Sequence, residues 1–123
     1  MLKGILAMEI DELREFCLSL PGTTEGMKWG EHLTFMVGTK IYVVFGLDQS
    51  PVNASFKVSD EDFDSMSVLP GMKPAPYFAK NKWIAVDDIG HIHSEKWQKI
   101  LRNAYALIRA KLSLKMQAEL GDF

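Results

Sequence analysis

Leu33-Thr34-Phe35-Met36-Val37-Gly38-Thr39-Lys40-Ile41-Tyr42-Val43-Val44-Phe45 decides how the rest of this chain is read. Apolar and β-branched residues alternate on both sides of Gly38-Thr39, the pattern of two half-buried strands joined by a tight turn. Side chains in a strand alternate between faces, so Leu33, Phe35 and Val37 are expected on one face with Ile41, Val43 and Phe45. A third strand, Val52 to Val58, follows the turn Asp48-Gln49-Ser50-Pro51. It points Val52, Ala54, Phe56 and Val58 one way and Asn53, Ser55 and Lys57 the other. The second face of this sheet then carries Thr34, Met36, Tyr42, Val44, Asn53, Ser55 and Lys57. That set is too polar for a second core and too apolar for plain solvent surface.

Downstream, Ser59 is a good N-cap for a short helix, with Asp62 three residues on and Phe63 and Met66 as its buried stripe. Pro70-Gly71 stops it. Three of the five prolines fall at Pro70, Pro74 and Pro76. Each fixes φ and removes a backbone donor, so this segment is rigid and not helical. A basic turn, Lys80-Asn81-Lys82, then leads into a strand, Trp83-Ile84-Ala85-Val86, with aromatics on both sides of the turn. Asp87-Asp88-Ile89-Gly90 reads as a turn. Ser94 is expected to cap a long helix whose apolar face is Trp97, Ile100, Leu101, Ala104, Tyr105, Ile108 and Leu112. Lys96, Lys99, Arg102, Arg109 and Lys111 are assigned to its outside, and Ser113 to the cap of a last short turn, Leu114 to Leu120.

Upstream, Glu9 to Leu20 has Ile10, Leu13, Phe16, Cys17 and Leu20 at helical spacing, and Pro21-Gly22 ends it. Gly22 to Gly30 reads as a connection, with Trp29 expected to close over the core as a lid. Helix, antiparallel strands, short helix, strands and long helix give an α+β fold: an antiparallel sheet with helices packed on one face.

At 123 residues the chain reads as one domain, 1–123, large enough for its own core. Met8 is an alternative start, which would leave residues 1–7 as an upstream extension. No apolar run approaches the roughly 20 residues that span a bilayer, so no membrane partner is expected. The lone Cys17 excludes an intrachain disulfide, and a reducing, cytoplasmic setting fits. Net charge is −2, but residues 94–123 carry 6 Lys and Arg against 3 Asp and Glu, a small basic segment on an acidic body.

An ordered set of pieces resembles the MmcQ/YjbR-like family of small bacterial proteins. They are Leu18-Ser19-Leu20-Pro21-Gly22, Lys28-Trp29 with His32-Leu33, Phe35-x-Val37-Gly38-x-Lys40 and Ser55-Phe56-Lys57-Val58. Pro74-Ala75-Pro76-Tyr77 with Trp83, and Tyr105-x-Leu107-Ile108-x-Ala110-Lys111-Leu112, complete the set. The resemblance spans roughly residues 9–115 and implies a CyaY-like fold and a double-wing DNA-binding role. By the same fold analogy, Glu9, Asp11, Glu12 and Glu15 stand where frataxin-type proteins hold iron. Helix-start acids on a solvated face account for them without metal.

No constellation of an enzyme stands out: there is no glycine-rich phosphate loop, no Ser-His-Asp order and no cysteine pair. Cys17 sits on an apolar helix face, His91 and His93 lack a third ligand, and no cofactor or metal is expected. Two binding readings remain. Weak, salt-dependent and non-sequence-specific DNA binding would use Tyr77, Lys80, Lys82 and Trp83 with Lys99 and Arg102, lysines meeting phosphates while an aromatic stacks. The alternative is a protein-interaction or small-ligand module on the open sheet face, using Tyr42, Asn53, Ser55 and Lys57 with Trp29 and His32 at its rim.

Overall fold

The computed structural model describes residues 2–76 and 81–123, with side chains of the first helix described from Ile10 onward. The elements in order are α1 (Leu2–Ser19), β1 (Thr23–Lys28), β2 (His32–Val37), β3 (Lys40–Gly46) and β4 (Asn53–Lys57). They continue with α2 (Asp60–Met66), β5 (Met72–Pro74), β6 (Trp83–Val86), a 3-10 turn (Ile89–His91), α3 (Ser94–Arg109) and α4 (Leu114–Leu120). The strands form one six-stranded sheet in the order β1-β2-β3-β4-β6-β5, with every neighbouring pair antiparallel.

One sheet face carries the main core. Leu13, Cys17 and Leu20 of the first helical segment meet Leu33, Phe35, Val43, Phe45 and Phe56 of the sheet and the stripe of α3. Trp97 is the hub: its ring lies 6.0 Å from Phe45 and 5.6 Å from Phe56, and its Nε1 donates to the Ile89 carbonyl at 2.9 Å. Buried indoles need such an acceptor, because an unpaired N–H in a core is costly. Phe63, Met66, Met116 and Leu120 bring α2 and α4 against the same cluster. All four helices therefore lie on one face, as the alternation and helical spacing predict.

The β2–β3 hairpin contains the main departure. Phe35 pairs with Val43 but Met36 pairs with Ile41, so Tyr42 is an extra residue in β3, a β-bulge. The bulge turns Tyr42 to the core side and Ile41 to the opposite face. Both placements reverse the alternation-based expectation. Tyr42 is fully buried, edge-on to Tyr105 at 5.6 Å, with its hydroxyl 3.0 Å from Thr23 Oγ1 and donating to the Cys17 carbonyl at 3.4 Å.

Four other expectations are corrected. The segment after Gly22 is not a connection but the edge strand β1, paired with β2 along its whole length. Thr34 Oγ1 donating to the Gly26 carbonyl at 3.1 Å and the bidentate Arg14–Glu25 pair at 2.7 Å tie it down. Trp29 is not a lid. It adopts φ +49 in the β1–β2 turn and stands 62% exposed. Ser94 is not the cap of α3; His93 holds that position and Ser94 Oγ donates to Glu12 Oε2 at 3.3 Å. Arg109 is buried, not outside: it donates to the Tyr105 hydroxyl at 3.0 Å, the Gln117 carbonyl at 3.1 Å and the Gly121 carbonyl.

Ser59 and Ser113 cap α2 and α4 as predicted, accepting from Asp62 N at 3.1 Å and Met116 N at 3.2 Å. Gly38 is required twice over: its φ is +63, and a Cβ there would stand 2.8 Å from Leu112 Cδ2.

Candidate functional site

The second face of the sheet is only partly covered. Near its lysine-bearing end, Ala75, Trp83 and Ala85 form a small cluster with Ile41 and Val44. The register then defines one continuous row across all six strands: Gly26, Thr34, Val44, Ser55, Ala85 and Lys73. Two residues along the strands lies a second row on the same face, in which His32 pairs with Gly46 and Gly46 with Asn53. Asp87 follows Val86, the partner of Ala54, and so falls beside Asn53. Where the two rows meet, the floor is built from small residues, and the sheet opens into a recess of about 200 Å³.

His32, Asn53, Ser55, Lys73 and Asp87 converge on this recess over Val44, Gly46 and Ala85. Contacts within the protein orient two of them, His32 and Asn53. The Nδ1 of His32 stands 3.0 Å from the Trp29 carbonyl. A carbonyl only accepts, so Nδ1 carries a proton and Nε2 is the ring nitrogen left for a ligand. The Trp29 ring sits edge-on to His32, 6.3 Å away, at the rim. Asn53 lies over Gly46, where a Cβ would come within 2.2 Å of its Oδ1. Lys73 Nζ and Asp87 Oδ1 stand 4.0 Å apart on the edge-strand side, with side chains 59% and 68% exposed. That spacing exceeds the roughly 2.7–2.9 Å of a charge-assisted hydrogen bond, so the pair is loose.

Of the residues proposed for the open face, His32, Asn53 and Ser55 are brought together and Trp29 stands at their edge. Tyr42 is withdrawn to the core by the bulge. Lys57 is at the other end of β4, where its buried ammonium donates to the Asn81 carbonyl. Lys73 and Asp87 were missed. Lys73 depends on β5 pairing with β6, which no alternation in Met72–Pro74 announces, and Asp87 on β6 pairing with β4.

The residues proposed for nucleic acid are dispersed. Tyr77 and Lys80 lie outside the described residues. Trp83 is 8% exposed within the small second cluster, so its face is not open to a base. Lys82 holds Nζ 4.8 Å over the Phe63 ring. Lys99 is exposed on α3 beside His93 and Lys96, and the Arg102 guanidinium lies 5.8 Å from the Phe16 ring. One gathering of charge does appear. Burial, then the nearby charges of Lys111 and Lys82, hold the Lys57 ammonium below its ordinary value, against the opposing pull of Asp60.

Cys17 is fully buried, and burial pushes its thiol up to about 12, which silences it as a nucleophile. His91 Nε2 lies 3.6 Å from Asp88 Oδ2 at an exposed site. Among the described residues no group of three His, Cys, Asp or Glu is arranged to hold a metal, and no helix is long and apolar enough to cross a membrane.

A six-stranded antiparallel sheet with four helices on one face defines an α+β protein of the kind the motif order implies. The chain belongs to the YjbR family, whose model matches residues 18–107. Its structure is similar to the crystal structure of a Deinococcus radiodurans protein carrying the domain DUF419. The two share 28% identity and a TM-score of 0.81, over 91% of this chain and 87% of that one. A Pseudomonas syringae protein of 18% identity shares the fold, with a TM-score of 0.64 over 80% of this chain and 97% of its own. No curated protein matches the chain.

Proposed function

We propose that this YjbR-family chain is a binding module, not an enzyme, and that it holds a small polar ligand in the recess on its open sheet face. The observation that carries this reading is the convergence of His32, Asn53, Ser55, Lys73 and Asp87, drawn from three strands and a strand end, over a floor of small residues. Drug-sized sites run to about 300–1,000 Å³, so a recess of about 200 Å³ suits a small metabolite. The silent Cys17 supports binding over nucleophilic chemistry, and an unpaired cysteine suits the cytoplasm. A chemical-shift screen against a metabolite library tests the reading. Ligands should move the amides of His32, Asn53, Ser55 and Ala85; hits that move only residues outside this face overturn it.

A second reading is favoured by Lys82 and Lys111 at the opposite sheet end, which lie close enough to the buried Lys57 for their charges to act on it. It is weak, non-sequence-specific nucleic-acid binding, with affinity in the range of about 10⁻⁴ to 10⁻⁶ M. Trp83 plays no part in it. Reversing charge at Lys82 and Lys111 should remove binding to a labelled duplex at low salt. Binding that ignores both changes ends this reading.

A further inference from the structure

We propose that the ligand of this recess is a zwitterion of the α-amino-acid class, an inference that rests on the recess being the binding site. The argument is the chemistry of the lining. On the edge-strand side stand one cation and one anion, Lys73 and Asp87, 4.0 Å apart. They share the recess with uncharged groups that donate and accept, the Ser55 hydroxyl and the Asn53 amide, and with the His32 ring, whose Nδ1 is engaged by the Trp29 carbonyl so that Nε2 is left for a ligand.

A lining of this kind is charge-balanced, so a purely anionic ligand meets Asp87 and a purely cationic one meets Lys73. Like-charge approach is repulsive and discriminates against the wrong partner. A ligand carrying both charges a few bonds apart instead converts one loose ion pair into two charge-assisted contacts. Its carboxylate goes to Lys73 with Ser55 and Asn53, and its ammonium to Asp87. The Trp29 ring, exposed at the rim beside His32, leaves an apolar surface for the ligand's side chain.

The test uses the intact chain and four probes: L-alanine, L-serine, L-leucine and L-phenylalanine. Each is titrated beside the matched acid lacking the amine and the matched amine lacking the carboxylate, with amide shifts as readout. At least one amino acid should move Asn53, Ser55 and Ala85 and bind about tenfold or more tighter than both its matched partners. Asp87→Asn should abolish that preference over the acid, and Lys73→Met the preference over the amine. Both positions are exposed at the rim, so spectra of the variants should remain those of the folded chain. If every amino acid that moves these amides has a matched acid or amine within tenfold of it, that overturns the zwitterion while leaving the recess as the site. Failure of all four amino acids, with other metabolites moving the same amides, does the same. Preferences that survive both variants overturn the assignment of Lys73 and Asp87.

Discussion

Removing the Arg109 guanidinium should loosen the C-terminal helix from the body of the protein. Its NH1 donates to the Tyr105 hydroxyl at 3.0 Å, and its NH2 donates to the carbonyls of Gln117 and Gly121. The Phe123 ring lies 4.8 Å from the same guanidinium. Hydrogen bonds from a charged donor are worth about 1.5–3 kcal/mol each, but the three here are not additive. Once α4 lifts, its carbonyls regain water, while Met116, Leu120 and the Gln117 amide on the Leu112 carbonyl still hold the helix in part. The net expectation for Arg109→Met, which keeps most of the stem, is a loss of about 3 kcal/mol. Arg109→Lys should recover less than half of it, since one ammonium does not reproduce a planar fork reaching two main-chain carbonyls. Urea unfolding gives the free energy, and amide exchange across Leu114–Leu120 reports the local opening. A cost under about 0.5 kcal/mol with unchanged exchange in α4 would refute the lock.

Three other expectations follow from the core and the edge strand. Phe35→Ala and Phe45→Ala should each cost about 3–5 kcal/mol in urea unfolding, because the two fully buried rings stack edge-on at 6.0 Å; near-neutral values would contradict this packing. Cys17, its thiol pushed up to about 12, should resist iodoacetamide in the native protein and react only in denaturant, so rapid native labelling would count against its burial. Glu25 is held below its ordinary value of 4.5 first by the hydrogen bond from Arg14. Its contribution is therefore complete above 4.5 and lost as pH falls through the lower folded value. Urea midpoints along the acid limb should be slightly flatter for Glu25→Gln, the effect being small for so exposed a pair; an unchanged limb would mean the pair does not persist in solution.

Much of the fold was legible because hydrophobic alternation is a strong signal wherever a strand has one buried face. The hairpin, β4 and the stripe of α3 were readable from periodicity, and Ser59 and Ser113 from capping chemistry, whereas Ser94 was not the cap of its helix. The bulge at Tyr42 was not, since a single inserted residue leaves the sequence pattern unchanged while flipping every face assignment before it. That one event accounts for misplacing both Ile41 and Tyr42. β1 was illegible for a different reason: Thr23-Thr24-Glu25-Gly26-Met27-Lys28 has no alternation, and backbone pairing to β2 holds it. Arg109 shows the limit of reading by charge. It lies four residues after Tyr105 on the buried stripe, so spacing placed it inside while its charge suggested outside. In the recess, Asn53 and Ser55 followed from alternation, and His32 from its place beside Trp29 at the entry to a strand. Lys73 required knowing that β5 is the edge neighbour of β6 and Asp87 that β6 lies beside β4, and strand order is a tertiary fact.

The antiparallel register also explains why the two candidate surfaces are separable. Asn53 and Lys57 are the two ends of β4, four residues apart, which at about 3.4 Å per residue puts them on the order of 13 Å from one another. The recess gathers at the end of the sheet where β2 and β4 begin and β3 and β6 finish. The lysines gather where those directions reverse, beside the C-terminal end of α3. Sites more than about 7–10 Å apart with no shared partner behave additively. Lys73→Met should therefore leave nucleic-acid binding at its wild-type level, and charge reversal at Lys82 should leave ligand shifts at Ser55 intact. Each variant becomes the folded control for the other surface. Coupling between the two would mean that β4, the element they share, transmits strain along its length, which the unbroken pairing of Asn53 to Gly46 and Lys57 to Trp83 argues against.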